Sequence, residues 1–376
     1  MSETILQINH ALQHKIADKI KQNGKISFAE FMKMALYSPG LGYYSAGLNK
    51  IGAEGDFVTS PELGALFAQC HANVFAGVLK QLNDAVFLEL GAGTGQFCVD
   101  FLLALESMDS LPEHYYIIEV SADFKQVQQQ KIQTLPPYIQ QKIKWLDQPP
   151  KQPFEGIIFA NEVLDALPVE VFQFKQNQYQ QLMLTLKNNQ LTEQWQRFNQ
   201  PLNAQLQQLN LSLSEGYRSE FIPNLDAWIQ SVTGHLSKGL AVFVDYGYGR
   251  PTYYHPQRVD GTLVCQRRHQ ANFNPYNDIG LQDITAFVDF TAVAEAFEKT
   301  GFKLIGYTTQ GDFLVDAGIS QHLDPDGDYQ NYYQLASEMK HLVLPQEMGE
   351  KFKTIAASKN LDISLNGFNN NRWNEL

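Results

Sequence analysis

Phe87-Leu88-Glu89-Leu90-Gly91-Ala92-Gly93-Thr94-Gly95-Gln96 is the stretch on which the fold turns. The run Val86–Leu90 reads as a buried parallel strand, and three glycines spaced two apart follow at once. Beyond them Phe97, Val99, Phe101, Leu102 and Leu105 supply the apolar positions of a helix. Strand, glycine turn and helix form the first unit of a nucleotide-binding α/β fold, where glycine lets the backbone come close to a ligand.

Two details narrow the ligand. The dinucleotide fingerprint G-x-G-x-x-G/A would need a small residue where Gln96 stands. The run is instead E-x-G-x-G-x-G, with the carboxylate of Glu89 two residues before the first glycine. A pyrophosphate would be repelled there. S-adenosylmethionine (SAM) has no phosphate and carries a sulfonium and an ammonium, so an acid suits it. About 24 residues after Gly95 a second strand, Tyr115-Tyr116-Ile117-Ile118, ends in Glu119, placed to accept both ribose hydroxyls.

Outward from this stretch the βαβ alternation runs to Val169. A helix is expected over 121–134, a strand at Ile143-Lys144-Trp145-Leu146-Asp147, and a buried strand over 154–160 ending in Asn161-Glu162-Val163-Leu164-Asp165. Alternation of this kind implies a parallel sheet with ligands over the carboxyl ends of its strands. Glu89, Glu119, Asp147 and Glu162 all fall at or near such ends and would ring one crevice.

Before the core, residues 5–22 form an amphipathic helix, and Ser27-Phe28-Ala29-Glu30 is a capping box that opens a second. After Gly42-Tyr43-Tyr44, a loop leads to Thr59-Ser60-Pro61-Glu62, where a third helix is expected to start and run toward Val78. The loop's hydroxyls, acid and helix start suit a lid over a cofactor. After the core, residues 169–198 alternate at period two with turns near Asn177 and Asn188-Asn189, an antiparallel meander. Strands at 240–244 and 302–308, a helix at 293–300 and C-terminal helices, the last over 348–357, complete the expectation. The first of these strands ends in Asp245-Tyr246.

The chain has 376 residues, 44% of them hydrophobic, with 17 Tyr and 24 Phe: enough for one large α/β domain with additions, or for two domains. A net charge of −12 argues against a nucleic-acid partner, which needs a concentrated basic surface. Cys70, Cys98 and Cys265 are widely spaced and fit a reducing compartment without a zinc site; the histidines show no metal spacing. With no signal-like or membrane-spanning run, a soluble cytoplasmic protein is expected.

These residues resemble the MidA-type methyltransferases, which include the mitochondrial complex I assembly methyltransferase. The matching motifs are Gly42-Tyr43-Tyr44, Gly55-Asp56-Phe57-Val58-Thr59-Ser60-Pro61-Glu62, the run from Glu89 to Gly95 and the run from Asn161 to Val169. Val244-Asp245-Tyr246-Gly247, Asp283-Ile284-Thr285-Ala286-Phe287-Val288-Asp289-Phe290 and Met348-Gly349-Glu350-Lys351-Phe352 continue the series. The mitochondrial member departs at Thr94, where it has arginine, and at Asn161, where it has histidine.

The resemblance implies a SAM-dependent methyltransferase acting on arginine of a protein, with a respiratory complex I subunit or its equivalent as target. The expected fold class is α/β: a Rossmann-like methyltransferase sheet with a helical N-terminal cap, an inserted antiparallel β-meander and C-terminal helices. The expected domains are a cap and lid over 1–80, a core over 81–170 and 238–318, an insertion over 171–237, and helices over 319–376. A homodimer is left open. Two alternatives remain beside arginine: a small molecule or another side chain as target, and a SAM-binding assembly factor without catalysis.

A guanidinium is a poor nucleophile, and carboxylates that pair with two of its nitrogens leave the third aimed at the methyl group. Glu162 is expected to grip the substrate and Asp165 to support it, both facing one side if the turn after Ala160 is helical. The cofactor is assigned Thr59, Ser60, Glu62, Glu89, Gly91, Ala92, Gly93, Gly95, Glu119, Asp147 and Asn161. The substrate is assigned Tyr43, Tyr44, Asp245 and Tyr246, and no residue is assigned to a metal.

Overall fold

The structure, a computed structural model, describes residues 3–46, 59–324 and 327–376. Most of the expected lid, residues 47–58, lies outside them. The chain forms two compact units. The first comprises Met1–Phe57, Leu164–Asn224 and Arg250–Asp289, and the second Val58–Val163, Leu225–Gly249 and Phe290–Leu376.

The second unit is built on seven strands: β1 (Val86–Leu90), β2 (His114–Ile118), β3 (Ile143–Leu146), β4 (Phe154–Asn161), β5 (Leu236–Tyr248), β6 (Lys303–Thr309) and β7 (Phe352–Lys359). Their order is β6-β7-β5-β4-β1-β2-β3. From β3 to β5 every pair is parallel, while β7 runs antiparallel to β5 and β6. The order 3-2-1-4-5 is the doubly wound arrangement, and it reverses between β1 and β4. The expected Rossmann-like sheet is therefore present, with its switch point at the glycine turn.

Helix Gln96–Ser107 starts at Gly95 and buries Phe97, Phe101, Leu102 and Leu105. Helix Ala122–Ile132 starts where Ser121 Oγ accepts the Phe124 N–H at 3.3 Å. Phe97 stacks on Phe159 of β4 (4.5 Å, 17°) and on Phe101 (5.0 Å, 16°), so an aromatic layer pins β4 to the helix after the glycine turn. Fully buried His71 joins this layer beside Phe67, Phe97, Phe159 and Phe313.

Two expectations need correction. Residues 348–357 do not form the last helix: Phe352–Lys359 is β7, a strand at the heart of the sheet. Both its faces are buried, so a short run such as Ile355-Ala356-Ala357 carries no alternation to tell strand from helix. Helices Gln310–Asp316 and Tyr329–Val343 do form in this region. Nor does the third helix start at Thr59. Residues Ser60–Glu62 form a single 3-10 turn, and the helix runs Leu66–Leu79. Its first N–H, at Leu66, is capped by Glu338 Oε1 (2.7 Å) from helix Tyr329–Val343, which replaces the local capping box.

In the first unit, helices Glu3–Asn23 and Phe28–Tyr37 lie with the expected antiparallel meander, Glu170–Lys175, Gln178–Lys187 and Gln190–Arg197. Gln176, Asn177, Asn188 and Asn189 all have positive φ, as two-residue hairpin turns demand. Leu12, Ile16 and Ile20 of the first helix share a core with Val171, Leu182, Leu184 and Ile284. That shared core joins the start of the chain, the meander and residues 250–289 into one body. These segments gather because neither amphipathic element could leave its apolar face wet. Among the described residues no helix is long and apolar enough to cross a membrane.

The aromatic layer gives a direct test. Phe159→Ala should destabilise the protein by about 3–5 kcal/mol in urea unfolding, since Phe159 is fully buried against ring faces. A loss below about 1 kcal/mol would mean that the layer does not anchor β4.

Candidate functional site at the switch point

The glycine turn closes β1 with left-handed backbone at Gly91 (φ +65°), Gly93 (+53°) and Gly95 (+83°). At Gly95 a side chain would also crowd Gln128, whose Cγ lies 3.3 Å from the position of an added Cβ. Gln128 is fully buried. Its Nε2 donates to Gly93 O (2.9 Å) and to Glu119 Oε2 (3.0 Å), and its Oε1 accepts from Trp145 Nε1 (2.8 Å). One amide thus ties the turn after β1 to the acid after β2 and the indole on β3. Sequence reasoning missed it, because Gln128 stands among Gln126, Gln129 and Gln130 and looks like part of a wet helix face.

Glu89 is buried within β1 and accepts from the Tyr115 hydroxyl at 2.7 Å. Burial pushes its pKa up to about 8; the Tyr115 bond opposes this and the Glu119 charge adds to it. Glu119, also buried, accepts from Ser121 N at 2.8 Å and from Gln128. Burial raises its pKa too, against those bonds. Val120, 72% exposed, sets an apolar side chain directly beside this acid, a feature sequence reasoning also missed. Asp147 differs from its expected companions: its side chain is 96% exposed and pairs with Lys125 at 3.3 Å.

Of the described part of the expected lid, Thr59 is buried without a side-chain capping bond, and Ser60 Oγ donates to Gln310 Oε1 at 3.0 Å. Glu62 accepts from the Thr94 hydroxyl, and Lys131 Nζ donates to Thr94 at 3.3 Å. Glu62 therefore braces the glycine turn, where Ala92 is buried.

Across the switch point β4 ends in Asn161, whose Nδ2 donates to Glu162 Oε1 at 3.1 Å. The Asn161 Oδ1 is buried with no hydrogen-bond partner. Glu162 itself has φ +55°, and its N–H bonds Val244 O at 2.9 Å. This corrects the expected helical turn after Ala160. The chain leaves β4 through a left-handed residue, so Glu162 and Asp165 do not share a helix face, and the unit boundary falls between Val163 and Leu164. Asp245, expected beside a substrate, is fully buried and holds backbone: Oδ2 accepts from Val163 N (3.1 Å) and Oδ1 from Tyr246 N (2.9 Å). Tyr246 packs edge-on against Phe352 at 5.6 Å.

In the first unit Asp165 is buried, and its carbonyl accepts from Ala286 N at 3.0 Å. Tyr43 is fully buried and packs edge-on to Tyr44 (5.1 Å), a packing role. Half-buried Tyr44 stacks on Tyr37 (5.5 Å, 22°), and its hydroxyl donates to Asp283, 3.1 Å from each carboxylate oxygen. Burial first, then the charges of Asp283 and Asp165, push the Tyr44 pKa well above its ordinary value.

An orphaned acceptor on Asn161 lacks a donor, and buried acids stand on the neighbouring strand at Glu89 and after β2 at Glu119. The class so defined is the SAM-dependent methyltransferase. Residues 68–308 match the family described as S-adenosyl-L-methionine-dependent methyltransferases, and the chain belongs to that family.

A crystal structure from Burkholderia thailandensis, described as a methyl transferase and bound to S-adenosyl-homocysteine, superposes with a TM-score of 0.93. It is 34% identical, and the match covers 100% of this chain and 98% of that one. The chain is 28% identical to the mitochondrial protein arginine methyltransferase NDUFAF7 of Danio rerio, over 92% of its own length and 86% of that protein's. To the Bos taurus protein of the same name it is 27% identical, over 92% and 82%. These relatives are named as mitochondrial, which overturns the expectation of a cytoplasmic protein.

Glu89 supplies the test of the cofactor end. Its ordinary pKa of 4.5 rises to about 8 in the folded protein, so the folded state holds the proton more tightly than the unfolded chain. The resulting stability is complete below about pH 4.5 and lost as pH rises toward 8. Glu89→Gln carries no titrating charge, so the melting temperature of the ligand-free variant should fall less over that interval than the wild type's. SAM affinity at pH 8 should drop by about tenfold or more, the worth of one charge-assisted bond. A wild-type pH profile of melting in the variant would contradict the raised pKa.

Proposed function

We propose that the protein transfers a methyl group from SAM to an arginine side chain of a protein substrate. Glu162 carries this reading. It is a carboxylate at the carboxyl end of β4, oriented by Asn161 and held at φ +55° by its bond to Val244. Non-glycine residues rarely adopt this conformation, and such strain concentrates at functional sites. The names of the mitochondrial relatives, protein arginine methyltransferases, support the same substrate. The family resemblance extends it to a respiratory complex I subunit or an equivalent.

When bound, SAM supplies an activated methyl group on its sulfonium. In this reading Glu119 takes the ribose hydroxyls, and the glycine turn lets the backbone close on the methionyl end. Asn161 Oδ1 and Glu89 accept from the ammonium. Glu162 pairs with the guanidinium and fixes which nitrogen faces the methyl group. The reaction is an in-line displacement, for which positioning alone can supply roughly 7–11 kcal/mol. The second unit is then the cofactor body and also carries Glu162.

Glu162→Gln tests the assignment, since it keeps the shape and removes the charge. SAM affinity by calorimetry should stay within about threefold. Turnover on an arginine-containing protein should fall on the order of 10²–10³, the usual cost of one preorganised electrostatic partner. Wild-type turnover would remove Glu162 from the chemistry, and lost SAM binding would move it to the cofactor.

A further inference from the structure

We propose that a second copy of this chain docks on the outer edge of the strand Gln190–Arg197, antiparallel to it and centred on Trp195. The inference lies within the first unit and is independent of the substrate assigned above.

The strand Gln190–Arg197 pairs with Gln178–Lys187 in a register that runs from Gln180↔Arg197 to Lys187↔Gln190 without a shift. Among the described residues no other strand and no loop backbone bonds its far side. Every second residue of such an edge turns its N–H and C=O outward, a template for a further strand. Proteins commonly blunt an edge with a proline, a bulge, a lysine or a very short strand. This edge has eight residues, an unbroken register and neither proline, glycine nor lysine.

Its side chains select the occupant. One glutamate and one arginine leave the strand neutral, whereas the whole chain carries a net charge of −12. Two copies therefore meet here with less mutual repulsion than elsewhere on an acidic protein. Antiparallel pairing about Trp195 sets Glu193 of each copy opposite Arg197 of the other, Gln194 opposite Gln196, and Trp195 opposite itself. Unlike charges, amides and aromatic rings are all favourable cross-strand partners. A slip of two residues either way loses both ion pairs. A slip of four sets Glu193 against itself, or Arg197 against itself.

Both charges are placed for this register. Arg197 is exposed, and its side chain has no hydrogen bond or ion pair among the described residues. Glu193 is held from within its own unit: it accepts from the Tyr276 hydroxyl at 2.9 Å and lies 3.7 Å from Arg218, with 35% of its side chain exposed. A carboxylate offers about four acceptor positions, so those two contacts leave room for a guanidinium. Half-buried Trp195 stands between the two charges on the same face, with the Arg218 guanidinium 5.1 Å from its ring centre. Only residues 193–197 of each copy face each other, so the dimer is weak, with a dissociation constant on the order of 10–100 μM.

Sedimentation velocity of the full chain at low salt, over about 1–300 μM, tests the proposal. Wild type should pass from monomer to dimer across this range. Raising salt to about 0.5 M should weaken the dimer several-fold, because exposed ion pairs are screened. Arg197→Glu opposes two carboxylates at both pairs. It should raise the dissociation constant by about tenfold or more, with melting temperature and SAM affinity unchanged. Glu193→Arg, its fold checked by its melting transition, should be monomeric as well.

Mixed in equal amounts, the two variants regain unlike charges at both pairs, so the mixture should dimerise although neither variant does alone. A wild type that stays monomeric throughout overturns the proposal. So does a dimer that Arg197→Glu leaves intact, which would put the contact elsewhere, or a mixture that remains monomeric.

Discussion

The shape of the cofactor site depends on Gln128, because its amide makes three bonds that no backbone ladder supplies. The glycine turn is left-handed at Gly91, Gly93 and Gly95, and nothing in those residues selects one conformation over another. The bond from Gln128 to Gly93 O gives the turn a fixed partner. The bonds to Glu119 and Trp145 set the second and third strands of the sheet against it. A buried amide is costly when unsatisfied and specific when every group is used. Here both ends of the amide are engaged, so Glu119 and the backbone of the glycine turn are positioned by one side chain.

That arrangement buries two carboxyl groups in the ligand-free protein. Glu89 and Glu119 both have raised pKa values from burial, and each partly offsets the cost through hydrogen bonds. Asn161 keeps an acceptor with no donor. Such groups lower the stability of the empty protein, a cost common at functional sites. Asp245 is the contrasting case: equally buried, it spends its oxygens on backbone N–H groups and so stabilises the turn after β4.

What could be read from the sequence was local. The strand, glycine turn and helix announce themselves by composition and period, and Glu119 follows from spacing along one βαβ unit. Ser27 caps its helix by bonding Glu30 N, and the meander turns fall on Asn177 and Asn188-Asn189 as their residue types require. What escaped was set by contacts far apart in the chain. β7 looked helical because both its faces are covered by elements the sequence does not adjoin. Gln128 was indistinguishable from solvated glutamines until its burial was known. Glu338, which caps the helix starting at Leu66, stands 272 residues further along the chain. Glu162 and Asp165 share a short stretch, yet the left-handed residue at 162 and the unit boundary separate their roles.

The most direct measurement is tandem mass spectrometry of proteins incubated with the wild-type enzyme and SAM carrying an isotopically labelled methyl group. The expected result is label on arginine guanidinium nitrogens of a discrete protein target, dependent on the intact enzyme. Label on another side chain, or only on a small molecule, would contradict protein-arginine methyl transfer.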